Sequence, residues 1–418
     1  RILAAEGINA EDALQVRSGG RLVSIISTLG SILVGLGVIL FFAKNWSLMT
    51  VSTKLTLIYF GIIATYAAGY YLQFVRGTYP RVGHALILLG GIFYGAGLFL
   101  VSQLFHSDAN PRWLFFIWGA GLMPLVILLA EEALFALAAV VFLLWALFST
   151  FSTFFSASAV PEYWYAVLSI AVLLPLAWRF RFTKGFALLI ALFYIWYGTT
   201  VAAWQVNTPG MNESALPLIL LYFIGFGLSL ILGGRLLEYR SDSSEFAYAM
   251  RFLGGAGVGI PVYILSWNEA LYLYSSPIGL SGISLVVFFG IFALAAVLLA
   301  LYGVWSGATE RKQLAWREGA ILLFIGVLAI VFYFVPIDGG PRYYYGESSP
   351  NFHPFVLPWN FALLAFNVLL ITVGYFERRN IFVNLGVLLF LVHVLSRYFD
   401  VFALRFGTSF SFIFGGVL

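Results

Sequence analysis

The chain has 418 residues, of which 62% are hydrophobic and only 10% are charged. Soluble domains carry about 25% charged residues, so this composition excludes an ordinary soluble globular protein. Cysteine is absent, which excludes disulfides, iron–sulfur clusters and zinc–thiolate sites, and the formal net charge of +4 is scattered over short polar segments instead of forming the basic stripe that binds nucleic acid.

Apolar runs of about 20 residues, the length of a helix that crosses roughly 30 Å of hydrocarbon, recur along the chain. Backbone groups find no water partner in lipid, so each run is predicted to be an α-helix. We predict an all-α polytopic integral membrane protein with about 14 transmembrane helices. The spans are 22–43, 53–75, 82–105, 113–130, 133–150, 163–179, 185–204, 215–234, 246–266, 283–305, 318–336, 357–376, 380–398 and 402–418.

A short cytoplasmic helical segment over 1–21 is predicted to precede a single transmembrane domain over 22–418. Most of the 22 lysines and arginines fall on one side when the N-terminus is placed in the cytoplasm, as the positive-inside rule requires. Both termini are therefore predicted to be cytoplasmic. Because Arg1 is not Met and the last run stops inside apolar sequence, we expect the natural chain to continue beyond both ends.

Polar residues at mid-membrane depth in the predicted spans are few. They are mainly Asn367, Asn384 and His393, and none is a carboxylate. Ion-coupled transporters usually hold a titratable or ion-ligating group near the bilayer centre, so this pattern argues against classical proton or sodium coupling. Gly255 and Gly259, spaced by four, predict a close helix–helix contact.

Polar and aromatic residues are predicted to concentrate at the outer ends of the spans. His393, Arg397 and Asp400 share one helical stripe, and Gln103 lies on the same helix face as His106. We predict that 101–113 and 393–400 face each other across one outer-leaflet cavity, with Arg397 paired to Asp108 or Asp400 to Arg112. The alternative is that these are interfacial and helix-end residues that only pair locally. The full set of predicted ligand-binding residues is Asn45, Trp46, Gln103, His106, Asp108, Arg112, Arg342, His393, Arg397 and Asp400.

Several of these residues also carry a family resemblance. The stretches "GINAEDA", "GLGVILFFAKNW", "LGGIFYGAGLFLVSQLFHSDANPRW" and "NLGVLLFLVHVLSRYFDVF" resemble the bacterial predicted membrane proteins of domain-of-unknown-function family 2157. In that family the first span ends in an Asn-Trp pair, here Asn45 and Trp46, and the third ends in Gln-x-x-His, here Gln103 and His106. The resemblance implies a multi-pass protein of the bacterial inner membrane, without a known activity.

Three functions remain open from the sequence. The first is binding or translocation of an amphiphilic, lipid-linked ligand through the outer cavity, with membrane lipids as the partners. The second is a scaffold or subunit of a larger membrane assembly with protein partners. The third is an outer-face transferase in which His106 or His353 is the general base and Arg342 or Arg397 holds a phosphate. No metal, haem, flavin or other cofactor is expected, because two outer histidines with scattered carboxylates make a weak metal site.

Overall fold

The computed structural model describes residues 48–77, 79–105, 111–154, 162–206, 215–238, 244–267, 271, 282–306, 312–334 and 354–406. These residues form helices, with short turns described at 130–131, 180–182 and 377–379, and no strand occurs among them. Eleven of the helices are long and apolar enough to cross a membrane, and Trp164–Arg179 is a shorter apolar helix. The all-α polytopic membrane fold is therefore confirmed.

Each predicted span from the second to the thirteenth corresponds to one described helix. The helices are α1 Val51–Val75, α2 Pro80–Leu104, α3 Pro111–Leu129, α4 Glu132–Phe154, α5 Trp164–Arg179, α6 Thr183–Val206, α7 Ala215–Glu238, α8 Ser244–Leu265, α9 Gly282–Ser306, α10 Lys312–Phe334, α11 Val356–Phe376 and α12 Asn380–Phe406. The cytoplasmic segment 1–21 and the first span lie outside the described residues. The predicted break at 399–401 is not seen, since α12 continues through it to Phe406.

The chain divides into two compact units, residues 1–108 and 109–418. In the first unit α1 and α2 form an antiparallel pair that crosses at glycines. A Cβ added to Gly69 would lie 2.9 Å from the backbone nitrogen of Ile87, and one added to Gly83 would lie 2.9 Å from that of Gln73. Only glycine permits this backbone approach, which is a main source of packing energy within lipid.

The second unit is built around α7 and α8, which make the most extensive contact of any helix pair. Their crossing is reciprocal, because a Cβ on Gly227 would lie 2.8 Å from the carbonyl oxygen of Gly254, and the reverse distance is also 2.8 Å. Of the predicted glycine pair only Gly259 makes a close helix–helix contact, because Gly254 and not Gly255 meets α7. Gly255 has no heavy atom within 4 Å of its Cβ position, whereas Gly259 faces Phe366 of α11.

Tight turns join several neighbouring helices at the predicted cytoplasmic end. The predicted turn at Glu131 and Glu132 is confirmed, with Ala130 in the left-handed region at φ 51°. After α11, Arg378 has φ 55°, and the amide of Arg379 donates to the carbonyl oxygen of Gly374 at 2.8 Å. This left-handed helix end holds Glu377 against the bundle.

Candidate functional site

The predicted site residues are described to different extents. Arg112, His393 and Arg397 are described with their side chains in the second unit, and Gln103 is exposed near the end of α2 in the first unit. Asp400 lies in α12, but its side chain is not among those described. Asn45, Trp46, His106, Asp108, Arg342 and His353 lie outside the described residues. The predicted facing of 101–113 and 393–400 therefore stays a prediction.

An outer cluster forms where α8, α11 and α12 meet at their predicted outer ends. We define it as Ser266, Trp267, Asn360, His393 and Arg397. The Arg397 guanidinium lies over the Trp267 ring at 4.5 Å from its centroid and donates to the Ser266 hydroxyl at 3.4 Å. The Asn360 amide donates to the backbone oxygen of Ser266 at 3.0 Å. Two helices, α11 and α12, thus converge on the end of α8.

The antiparallel register of α11 and α12 explains this convergence. Gly374 packs against Val383 and Gly386 against Ile371, and the same register carried outward places Asn360 opposite Arg397. His393 lies one helical turn deeper than Arg397 and is 8% exposed, so its predicted interior position is confirmed.

The outer cluster contains buried hydrogen-bonding atoms without a partner. Among the described residues, these include His393 Nδ1 and Asn360 Oδ1, and Trp359 Nε1, in the residue before Asn360, is also without a partner. Deeper on α11, Asn367 is 0% exposed, and both polar atoms of its side chain are also without a partner in the described structure. Because about 90% or more of buried polar groups are normally paired, this concentration on two adjoining helices marks the outer cluster as a candidate ligand site.

Arg112 belongs to a different outer group. Its guanidinium donates to the Ser149 hydroxyl at 3.2 Å, and that hydroxyl donates to a Glu162 carboxylate oxygen at 2.8 Å. The Trp196 indole donates to the Glu162 backbone oxygen at 3.1 Å. Arg112 thus links α3, α4 and the segment before α5.

The strongest ionic arrangement lies at the opposite end of the bundle and was missed by the sequence interpretation. We call Arg235, Glu238, Arg251, Glu318 and Glu377 the inner ion cluster. Arg235 contacts Glu318 through two nitrogens, each at 2.8 Å, and also pairs with Glu238 and Glu377. Arg251 donates to both oxygens of Glu377 at 2.8 Å and pairs with Glu238. The Tyr302 hydroxyl donates to Glu318 at 3.0 Å.

This cluster joins the ends of α7, α8, α9, α10 and α11. All five ends were predicted to be cytoplasmic, so their convergence agrees with the predicted alternation of the spans. The side chains of Arg235, Glu318 and Glu377 are 5%, 4% and 9% exposed, and Glu238 is the most exposed member at 31%. Burial by itself would raise the pKa of Glu377, but the guanidinium groups of Arg235 and Arg251 outweigh it and lower that pKa below its ordinary value.

One expectation about interior polarity needs correction. Asn384 is exposed on α12 and is not an interior residue. Buried carboxylates do occur in the helix bundle, at its predicted cytoplasmic end. The signal was available in the spacing of Arg235 and Glu238 by three residues. Both residues follow the predicted span 215–234, however, and Glu318 is the first residue of the predicted span 318–336, so these charges were interpreted as span-end residues. In the described part of the chain, no group of three or more His, Asp or Glu residues is arranged to hold a metal ion.

Comparison with known proteins gives one match. No curated protein and no solved structure matches the chain. Residues 1–135 match the family described as "Predicted membrane protein (DUF2157)". This confirms the resemblance carried by the Asn-Trp and Gln-x-x-His motifs, and with the helices described above it makes the chain a multi-pass membrane protein similar, over residues 1–135, to that family.

Proposed function

We propose that this protein binds an amphiphilic, lipid-linked ligand at the outer cluster, with membrane lipids as the partners and the bacterial inner membrane as its location. The observation that carries the proposal is the set of unpaired, buried polar atoms of His393, Asn360 and Trp359 beside Arg397. Leaving such groups unpaired costs about 1–3 kcal/mol each. A ligand with hydrogen-bonding atoms would recover that free energy.

The chemistry of the cluster favours an anionic head group. A guanidinium offers several donors in a planar fork that suits phosphate or carboxylate, and Arg397 is held in position by Trp267 and Ser266. His393, one turn deeper, can donate or accept depending on its tautomer. An ionisable residue within a membrane-spanning helix is by default a functional candidate.

The surroundings of the cluster suit an apolar tail. Trp359, on α11, packs edge-to-face against Phe332 of α10 at 5.9 Å between ring centroids. The lipid-facing surface of α12 next to His393 carries the exposed side chains of Val392 and Leu395. A ligand with a charged head and a long hydrocarbon chain therefore matches both the polar cluster and the medium beside it.

The proposal can be tested with a polyprenyl phosphate as the probe and the uncharged polyprenol of equal length as the matched ligand. Both would be added to nanodiscs that hold the purified protein, and binding would be measured by native mass spectrometry. The wild type should bind the polyprenyl phosphate more strongly than the polyprenol. The Arg397→Ala variant should lose that preference but should still bind the polyprenol.

Arg379→Ala provides the control, because Arg379 precedes the same helix at the opposite end and lies over Tyr248 instead. It should bind like the wild type. Equal binding of phosphate and alcohol by the wild type would contradict the proposal. Co-purification of a stoichiometric protein partner, without lipid binding, would favour the scaffold. Chemical conversion of the polyprenyl phosphate in a reaction that requires His106 would favour the transferase.

A further inference from the structure

Three helices of the second unit, α8, α11 and α12, face one another along a line that joins the inner ion cluster to the outer cluster. On each helix the residues along this line are three, four or seven apart, so they lie on one helix face. They are Arg251, Gly255, Gly259 and Ser266 on α8 and the residue after it, Asn360, Asn367, Gly374 and Glu377 on α11 and the residue after it, and Phe382, Gly386, His393 and Arg397 on α12. We call the middle of this line, formed by Gly255, Gly259, Asn367, Gly386 and His393, the three-helix seam.

The helices α8 and α12 run in the same direction and meet in a constant register. The residues that contact each other are offset by 130 or 131 positions, in the pairs Arg251 with Phe382, Gly259 with Leu389, and Ser266 with Arg397. The same offset places Gly255 opposite Gly386. Each contacting pair reaches across with at least one long side chain, whereas two glycines have none to offer.

This pair of glycines leaves space inside the bundle. Gly255 is buried, yet no heavy atom of the described residues lies within 4 Å of the position that its Cβ would take. The neighbouring Gly254 differs, because its Cβ position lies 2.8 Å from the carbonyl oxygen of Gly227. Gly255 therefore borders a small buried space and not a tight helix crossing.

Asn367 faces the seam from α11. It lies at the middle of that helix and is 0% exposed, and neither polar atom of its side chain has a partner among the described residues. Its backbone oxygen is 3.1 Å from the Cβ position of Gly386, and Ile371, one turn further along, contacts the same glycine. Two turns earlier on this face, Asn360 donates to Ser266. The face that carries Asn367 thus meets both α12 and the end of α8.

Asn367 and His393 lean toward each other across the seam. The antiparallel register of α11 and α12 places His393 opposite Leu364, so Asn367 lies three residues, or about 4.5 Å, deeper. Side chains tilt toward the N-terminus of their own helix, which is the predicted outer end of α11 and the predicted cytoplasmic end of α12. The His393 Nδ1 atom and the Asn367 amide therefore approach each other, yet they are not hydrogen-bonded.

We propose that water molecules occupy the three-helix seam and that one of them bridges the Asn367 amide and the His393 imidazole. A water molecule with hydrogen bonds of about 2.8 Å joins groups that are about 4–5 Å apart. Buried water typically makes about three hydrogen bonds to polar atoms that have no other partner, and Asn367 Oδ1, Asn367 Nδ2 and His393 Nδ1 are three such atoms. The site suits a neutral molecule, because a hard cation needs several oxygen ligands and Asn367 supplies a single side-chain oxygen.

This water extends the polar surface of the outer cluster to the middle of the membrane. Asn360 and Asn367 are seven residues apart on α11, which corresponds to about 10 Å along the helix. The hydration site does not depend on the proposed outer ligand. That ligand would approach His393 from the outer end and would leave Asn367 with its water.

X-ray hydroxyl-radical footprinting tests the proposal, because a short pulse splits bound water and oxidises the side chains beside it. The protein would be held in lipid nanodiscs without added ligand, and oxidised residues would be located by peptide mass spectrometry. Phe366 is the reporter, since it is 1% exposed and contacts the Cβ position of Gly259. Phe292 is the matched phenylalanine, 6% exposed among apolar side chains of α7, α9 and α10. The wild type should show oxidation of Phe366 and not of Phe292.

Asn367→Leu replaces the amide with an apolar group of similar size and should abolish the oxidation of Phe366. Asn384→Leu makes the same replacement at an exposed position of α12 and should leave that oxidation unchanged. Gly255→Leu fills the seam from α8 with Asn367 intact, so it should also abolish the oxidation and keeps the test valid if Asn367→Leu does not fold. Equal oxidation of Phe366 and Phe292 in the wild type would overturn the proposal. Oxidation of Phe366 that persists in a folded Asn367→Leu or Gly255→Leu variant would overturn it as well.

Discussion

Replacing Arg235 with glutamine should destabilise the protein by about 3–5 kcal/mol, the cost typical of breaking a buried ion pair by removal of one partner. Arg235 is 5% exposed and contacts Glu238, Glu318 and Glu377. Without it, three carboxylates would face the single guanidinium of Arg251 in a poorly hydrated site. The glutamine retains hydrogen-bonding capacity, so the loss reports mainly on the missing charge.

Glu238→Gln is the matched substitution with the opposite consequence for charge. It removes the excess negative charge of the inner ion cluster, and Glu238 is 31% exposed, so its loss should change stability by only about 0–1 kcal/mol. Both variants would be measured by reversible unfolding in mixed micelles of mild detergent and dodecyl sulfate. If Arg235→Gln and Glu238→Gln cost the same, the charge argument is refuted and the cluster acts only through packing.

Three further predictions concern pH, packing and orientation. The pKa of Glu377 is lower in the folded protein than its ordinary value of 4.5. The ionised carboxylate therefore contributes its full stabilisation above about pH 4.5 and loses it as the pH falls through the pKa of the folded protein. The melting temperature should fall on acidification, and it should fall less steeply in Glu377→Gln. Gly254→Ala should lower the free energy of unfolding by about 1–3 kcal/mol, because the added methyl group would clash with α7. Gly255→Ala should melt within a degree or two of the wild type. Equal losses in the two variants would refute the crossing geometry. In this cysteine-free chain, Ser107→Cys should react with an impermeant maleimide from outside and Ser241→Cys should not; the reverse labelling would invert the orientation.

The helices were predictable because a membrane span carries its signal in a single local property. A run of about 20 apolar residues has one stable conformation in lipid, and the short turn at Glu131 and Glu132 was visible as two charges between two such runs. The break near 400 was not predictable, since Arg397 and Asp400 resemble a span end, yet α12 continues through them to Phe406. A charged residue near the interface can extend its side chain outward without ending the helix.

The candidate sites were harder to predict because they depend on which helices meet. Arg397 was recognised from its stripe with His393, but its contacts with Ser266 and Trp267 join helices more than 120 residues apart in the chain. Periodicity cannot identify such partners. The same limit explains why Gly254 was not predicted as the residue that meets α7. The rotation of α8 about its axis decides whether Gly254 or Gly255 faces α7, and two adjacent glycines do not reveal that rotation.

The two ends of the second unit differ in how well their polar groups are satisfied, and this difference bears on function. At the predicted cytoplasmic end, five helices share one ionic network in which every charged member has a partner. At the predicted outer end, Asn360 and His393 keep buried atoms without a hydrogen bond among the described residues. A ligand that pairs those atoms gains free energy there, whereas the inner network offers none without first breaking an ion pair. Binding should therefore rearrange the outer ends of α8, α11 and α12 while their inner contacts are retained.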